Sequence, residues 1–224
     1  MMQRFFDILF SGFALLILSP ILLVVSLILK VTGNDVFYRQ QRVGLGGHYF
    51  DVYKFTTMVK NSENMGAGTI TLKNDDRVLP IGKFLRKSKL NELPQLLNIL
   101  KGDMSIIGPR PQDKNGFEAF NKTEQEIIVK VRPGLSGIGP IFFRDEEEII
   151  EKSKVSDKNL FYIETISPYK GKIEAWYVHN KNVYLYFTLI VMTAYVVLFP
   201  ENKIDYSKKF KEFPLPPKEL SELL

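Results

Sequence analysis

The sequence predicts a mixed α/β fold, mainly helical with a small β-sheet, carried on an apolar N-terminal helix. Three observations support this. An apolar run from Phe5 to Leu29, FFDILFSGFALLILSPILLVVSLIL, opens the chain. Leucines recur at helical spacing between Leu90 and Leu100. Apolar and polar residues alternate at Val36 and Tyr38, and again from Tyr49 to Phe55, on either side of Gly44-Leu45-Gly46-Gly47. A chain of 224 residues has room for one catalytic-sized domain and a membrane element.

The apolar run is long enough to cross a hydrocarbon core of about 30 Å as a helix. It ends in Leu29-Lys30-Val31-Thr32 and not in a small-residue cleavage site, which argues against a cleaved signal peptide. Ser19-Pro20 stands in its middle. Proline lacks an amide hydrogen and clashes with the carbonyl four residues back, so it frees backbone groups that lipid cannot hydrate; the serine beside it is placed to satisfy one of them. On these residues a kinked spanning helix and a helix that enters the bilayer and turns back both stay open. Arg4 at the front edge and Lys30 at the back put positive charge at both ends, so the positive-inside rule gives no orientation.

Residues 36 to 58 read as two short strands joined by the glycine turn. GLGG lacks the lysine and helix start of a phosphate-cradling P-loop. Residues 60 to 76 are polar, glycine-containing and aperiodic, which predicts a surface loop. From 81 to 111, IGKFLRKSKLNELPQLLNILKGDMSIIGPRP, Leu90, Leu93, Leu96, Leu97 and Leu100 share one helix face, while Asn91, Glu92, Gln95 and Asn98 share the other. Pro94 fits a helix only in its first turn, which puts Asn91-Glu92 at the N-terminus, where unpaired amides and the dipole favour anions. Gly102 ends that helix. Ser105 to Pro111 follows as a strand running into Pro-Arg-Pro, where two prolines restrict the backbone around Arg110 and present a fork suited to a diphosphate. Tyr169, Trp176 and Tyr177 suit either a membrane interface or a core. The end of the chain, KKFKEFPLPPKELSELL, reads as a flexible or interface-hugging tail.

Net charge +5 favours anionic partners: nucleic acid, acidic headgroups or phosphate-bearing substrates. No aromatic-basic array recurs, so nucleic acid is not an expected partner. The chain has no cysteine and two histidines, which excludes thiolate sites and disulfides and argues against zinc.

Lys54-Phe55 with Met58, then NELPQLLNILKGDMSIIGPRP, then Val131-Arg132-Pro133-Gly134-Leu135-Ser136-Gly137 resemble, in order, the motifs of the bacterial sugar transferases, the small monotopic polyprenyl-phosphate phosphoglycosyl transferases. The resemblance runs to about Arg144. It implies transfer of a phosphosugar from a UDP-sugar to polyprenyl phosphate with release of UMP and with Mg2+. The implied location is the cytoplasmic face of the bacterial inner membrane, at the first membrane step of surface glycan assembly. It also implies a re-entrant helix broken at Ser19-Pro20 and amphipathic interfacial helices; Val183 to Phe199, which is only just long enough to span, is implied to lie along the membrane surface or against the core and not to cross.

Three positions depart from the family pattern. The Asp-Glu pair whose aspartate is the family's nucleophile reads Asn91-Glu92. Thr56 stands where a basic residue usually follows the Lys-Phe pair, and Ile138-Gly139-Pro140 stands where many relatives continue Trp-Ala-Gln. An amide is not a useful phosphoryl nucleophile. The catalytic role therefore passes to Glu92, to a carboxylate of Arg144-Asp145-Glu146-Glu147-Glu148, or to none, as in a noncatalytic nucleotide-sugar-binding relative or scaffold. The expectation is a re-entrant segment over 1–32, a cytoplasmic catalytic domain over 33–200 and a tail over 201–224. Glu92 is expected to be catalytic and to hold the metal, with Asn91 beside it. Lys54, Arg86, Arg110, Arg132 and Arg144 are the expected phosphate or nucleotide contacts. Membrane lipids complete the expected partners, and the sequence admits a homodimer without requiring one.

Overall fold

The computed structural model describes residues 2–62, 65, 75–153, 155, 157–199, 201–202, 204–221 and 223, with backbone alone at 147 and 159. Most of the loop expected over 60–76 lies outside the described residues. The chain forms two compact units that interleave in sequence. An anchor unit comprises 8–41 and 51–101, and a helical unit comprises 1–7, 42–50 and 102–224.

Helix α1 runs from Met2–Val31 without interruption, Pro20 included. The break expected at Ser19-Pro20 is therefore absent, and the reason is local. Pro20 leaves the Leu16 carbonyl without its amide donor, and the Ser19 hydroxyl donates to that carbonyl at 2.8 Å. Ser26 likewise donates to the Leu22 carbonyl at 2.7 Å. Only 11% of the most apolar window of α1 is buried, and Phe13, Leu16, Ile17, Leu23, Val24 and Leu27 are all exposed. A helix this apolar and this uncovered is not the core helix of a soluble domain.

In the anchor unit, α1 ends in a small core. Val25 and Leu29 pack with Phe55 and Leu85, and Leu22, Val36, Leu79, Ile81 and Leu90 surround them. Each such aliphatic or aromatic side chain contributes about 1.5–3 kcal/mol on burial. The strands β1 (Phe37–Val43) and β2 (Tyr49–Phe55) form the expected hairpin around the glycine turn, where Gly46 and Gly47 take positive φ. Helix α2 (Pro80–Lys87) starts on a proline and lies directly on the end of the β2 segment. A Cβ on Gly82 would stand 2.2 Å from the Thr57 carbonyl oxygen, so only glycine allows the approach. At the base of the loop before α2, Arg77 pairs with Asp75 at 2.6 Å and donates to the carbonyls of Ser62 and Met65.

Helix α3 (Gln95–Lys101) inverts the expected polarity. Gln95 and Asn98 are buried, while Leu97 and Leu100 are exposed. Asn98 explains this: its amide oxygen accepts from the Tyr53 N–H at 3.0 Å and its amide nitrogen donates to the Asp51 carbonyl at 2.7 Å. The side chain thus serves backbone groups of β2, and burial costs it no unmade bond. Gly102, at φ +103, stops the helix as expected.

In the helical unit, β3 (Ser105–Ile107) and β4 (Gly134–Ser136) pair in parallel, Ser105 opposite Gly134 and Ile107 opposite Ser136. The Pro-Gly-Leu-Ser-Gly stretch is therefore a strand. Its glycines are steric requirements: a Cβ on Gly134 would lie 2.1 Å from the Gly108 nitrogen, and one on Gly137 would lie 2.1 Å from the Gly108 oxygen. Between the strands come α4 (Lys114–Glu118), capped by Asp113, and α5 (Lys122–Ile128). After β4 come α6 (Ile138–Phe142), α7 (Glu146–Lys152) and α8 (Lys158–Phe161). A π-helical turn at Tyr162–Ile166 leads into α9 (Ser167–Asn180), which is buried almost all round. Tyr169, Trp176 and Tyr177 all lie in this core, so none of them marks a membrane-docking surface.

Helix α10 (Val183–Leu198) buries Leu185, Leu189, Met192 and Val196 along one stripe and exposes Tyr184, Val191, Val197 and Leu198. It packs against protein on one face and leaves an apolar face open. The tail, expected to be flexible or interface-hugging, is docked on the protein. It forms α11 (Tyr206–Lys209) and α12 (Lys218–Ser221), and Phe213 and Leu220 are buried. Trp176 Nε1 donates to the Lys211 carbonyl at 3.3 Å, and the Tyr169 hydroxyl donates to the Pro214 carbonyl at 2.9 Å.

The front of α1 is held in this unit by polar contacts. The Asp7 carboxylate, 2% exposed, accepts from the Ser105 hydroxyl, the Ile106 N–H at 2.9 Å and the Tyr186 hydroxyl at 3.0 Å. Gln3 donates to the Ser105 hydroxyl and to the Ile107 carbonyl, each at 2.9 Å. Asp7→Ala strands these buried donors, at about 1–3 kcal/mol for each unsatisfied group. The expected outcome is a loss of about 3 kcal/mol or more, measured by thermal unfolding in detergent; a change below about 1 kcal/mol would show that this network does not fasten the helix.

Candidate active site

The Asn91-Glu92 pair sits in a tight turn. Lys89 adopts the left-handed conformation at φ 58, Leu90–Glu92 form a single 3-10 turn, and Pro94 precedes α3. The pair thus lies just before the helix that was expected to begin with it, because proline cannot donate within the helix and is accepted only at its threshold. Lys54, on β2, reaches this turn and pairs with Glu92 Oε1 at 3.2 Å, each side chain 23% exposed. Arg86, one turn after Gly82 on α2, donates from Nε to the Thr57 hydroxyl at 2.9 Å. Lys54, Arg86, Asn91 and Glu92 therefore all belong to the anchor unit.

Among the described residues of this unit, two side-chain atoms are buried without a hydrogen-bond partner: Asn91 Oδ1 and Thr56 Oγ1. A buried polar atom left unpaired costs about 1–3 kcal/mol, and each of these two has bonding capacity that the protein does not use. These are also two of the three positions where the sequence departs from the pattern it resembles. Among the described residues no three carboxylates or histidines cluster as a metal cage. Mg2+ does not need one, since it commonly takes one or two protein carboxylates and completes its shell with substrate phosphates and water. The Glu92 carboxylate and the Asn91 amide oxygen fit that partial donor set.

The remaining cations belong to the helical unit and have different surroundings. Arg110 is exposed, and its backbone N–H donates to Glu174 Oε1 at 3.0 Å. Beside it is a cleft whose walls include Val43, Gly44, Pro109, Gln112, Phe117 and Val131. Arg132 is half-buried and donates from Nε to the Gly102 carbonyl at 2.7 Å. Arg144 donates to the Val196 carbonyl in the last turn of α10 and pairs with Asp145 at 3.7 Å. In the acidic run, Glu146 is engaged by the buried Lys170 at 2.8 Å, and Glu148 pairs with Lys152 one turn on. The described carboxylates of that run lie at the start of a helix and are taken up largely in ion pairs.

Sequence reasoning missed Glu174. It lies 2% exposed on α9, and its Oε2 has no partner. Burial pushes its pKa up to about 7; the Arg110 N–H and the charges of Lys170 and Arg110 oppose the rise without cancelling it. The available signal was one acid, set between Ile173 and Ala175-Trp176-Tyr177, in a helix that has no polar face.

The bacterial sugar transferase family matches residues 1–200, and the chain belongs to that family. It is 33% identical over 213 residues to undecaprenyl-phosphate galactose phosphotransferase of Salmonella typhimurium, covering 88% of this chain and 40% of that protein. It is 39% identical over 168 residues to UDP-glucose:undecaprenyl-phosphate glucose-1-phosphate transferase of Klebsiella pneumoniae, covering 72% of this chain and 36% of that protein. Exopolysaccharide production protein ExoY of Sinorhizobium fredii is 37% identical over 159 residues, covering 64% of this chain and 70% of ExoY. The chain therefore spans well under half the length of the first two relatives.

Because Glu174 holds its proton more tightly when folded than at its ordinary value of 4.5, stability falls as pH rises from about 4.5 to about 7 and is level above that. This contribution is about 3 kcal/mol across the window. Glu174→Gln is expected to remove it, measured as denaturant unfolding at several pH values; an unchanged slope would show that Glu174 is not the buried acid.

Proposed function

We propose that the chain transfers a sugar phosphate from a UDP-sugar to a polyprenyl phosphate and releases UMP. The observation that supports this most is the Lys54–Glu92 ion pair beside the unpartnered amide oxygen of Asn91, in a unit whose core closes around an exposed apolar helix. The names of the relatives point to the same substrates: a galactose phosphotransferase and a glucose-1-phosphate transferase, both acting on undecaprenyl phosphate.

In the reaction, an oxygen nucleophile attacks the phosphorus that bears the sugar. The bond to the bridging oxygen breaks, and UMP leaves with the electron pair. Both substrates are polyanions, so cations must offset charge at the transferring phosphorus. Lys54 orients the Glu92 carboxylate through their ion pair, and Asn91 offers a neutral oxygen where a charge would otherwise stand. Glu92 and Asn91 would hold Mg2+, which when bound supplies charge neutralisation at the phosphates. With an amide at position 91, a covalent intermediate cannot form there, and Glu92 carries the carboxylate chemistry of this turn.

The site works at a membrane surface, and α1 is the element embedded there. Its front is bonded to Ser105, Ile106 and Tyr186, and its back is packed on Phe55 and Leu85. Among the described residues α1 is the one helix long and apolar enough to cross a bilayer. In this reading both ends of α1 face the cytoplasmic side, and a helix that is not interrupted at Pro20 returns there by bending at the proline and not by unwinding.

The test is UMP release by the purified chain from a panel of UDP-sugars with polyprenyl phosphate and Mg2+. Release is expected with at least one donor. Glu92→Gln is expected to lower the rate about 100-fold or more, and Asn91→Asp to raise it. No release from any donor, with none restored by Asn91→Asp, would contradict the transferase reading in favour of a binding protein. An unchanged rate in Glu92→Gln would remove Glu92 from the chemistry.

A further inference from the structure

The Pro109-Arg110-Pro111 segment has a peculiarity of backbone chemistry. Neither proline has an N–H, so the amide of Arg110 is the only main-chain donor of the segment. That donor goes to Glu174 Oε1 at 3.0 Å. The flanking carbonyls are also engaged: Pro109 accepts from the Gly134 N–H at 2.8 Å, and Gln112 accepts from the Val43 N–H at 2.9 Å. The main chain is thus fastened on both sides of Arg110, while the guanidinium itself stays exposed beside a cleft.

The Glu174 carboxylate holds its place through an absence. A Cβ on Gly139 of α6 would stand 2.2 Å from Glu174 Oε1 and 2.7 Å from its Cδ, closer than real atoms approach. Gly139 is one of the positions where the sequence departs from the family pattern, and the space it leaves is filled by this carboxylate. Removing the carboxylate would leave the Arg110 N–H without its acceptor and release the main chain at the arginine itself, between the two carbonyls that stay engaged.

We propose that Glu174 is a positioning residue for the donor site: with Gly139 it fixes the main chain at Arg110, so that the guanidinium meets the diphosphate of a nucleotide sugar already oriented. This deepens the transferase reading and rests on it. Pre-ordering of this kind lowers the cost of binding without adding a contact to the ligand.

The test uses the full chain in detergent, with UDP binding by calorimetry as a readout that needs no turnover and KM for each substrate as the second. Glu174→Ala is expected to weaken UDP binding and raise KM for the UDP-sugar about tenfold, a change of about 1.4 kcal/mol, with KM for polyprenyl phosphate unchanged. Glu174→Gln, whose Oε1 accepts from the same N–H, is expected to recover most of the loss. Gly139→Ala is expected to weaken UDP binding in the parent chain but to have no further effect in the Glu174→Ala background, where nothing remains to collide with. That cycle stays informative if one single variant folds poorly, and thermal unfolding reports which variants fold. Additive losses, or equal loss for both substrates, would overturn the proposal. So would UDP affinity that ignores Glu174 while Arg110→Ala weakens it. Absence of UMP release from the parent chain would instead count against the transferase reading, separately from these binding arms.

Discussion

A helix with almost nothing polar along its middle has to be taken out of water, and the protein does not cover α1. Its two ends are nevertheless fastened, and by opposite kinds of chemistry. At the front a buried carboxylate, Asp7, collects a hydroxyl, a main-chain N–H and a phenol. At the back Val25 and Leu29 enter an apolar cluster with Phe55 and Leu85. What lies between must meet lipid, because exposed apolar surface on this scale is costly in water and costs nothing in a bilayer. The reach of Lys54 to Glu92 depends on the same arrangement: Phe55 and Leu85, which close on α1, sit on the elements that carry Lys54 and Arg86.

The motifs that looked like chemistry turn out to be divided between chemistry and construction. Gly108 of the Gly-Pro-Arg-Pro stretch and Gly134 and Gly137 of the Pro-Gly-Leu-Ser-Gly stretch meet backbone to backbone at distances no side chain would permit. Those two motifs, far apart in sequence, meet at one parallel ladder: Gly108 directly follows β3, and Gly134 to Ser136 is β4. Arg132 and Arg144 direct donors to main-chain carbonyls, whereas the Arg110 side chain is left presented. A cation in a motif is thus not by itself a ligand for phosphate. What distinguishes the candidates is whether protein already takes up the guanidinium.

Local features were legible in the sequence because their causes are local. The hairpin around Gly44 to Gly47, the stop at Gly102 and the serine that compensates Pro20 each follow from a residue and its near neighbours. Features set by distant partners were not legible. Asn98 looked like a solvent-facing residue because its partners, Tyr53 and Asp51, lie on another element. The tail looked mobile because the aromatic surface that receives Phe213, including Trp176 and Tyr206, is assembled only in the fold. Glu174 was invisible for the same reason, since its importance depends on Gly139 and on the amide of Arg110. The break expected at Pro20 is absent because the Ser19 hydroxyl serves the Leu16 carbonyl, a bond between near neighbours that the proline rule alone does not include.

The proposal on which the rest turns is that α1 lies in the membrane with both ends returned to one side. The chain has no cysteine, so a single cysteine at Phe5 or at Val31 is a unique target for a membrane-impermeant maleimide. In inverted inner-membrane vesicles both positions should react, and in intact spheroplasts neither should. Reaction of one position from each side would contradict the account and make α1 a spanning helix.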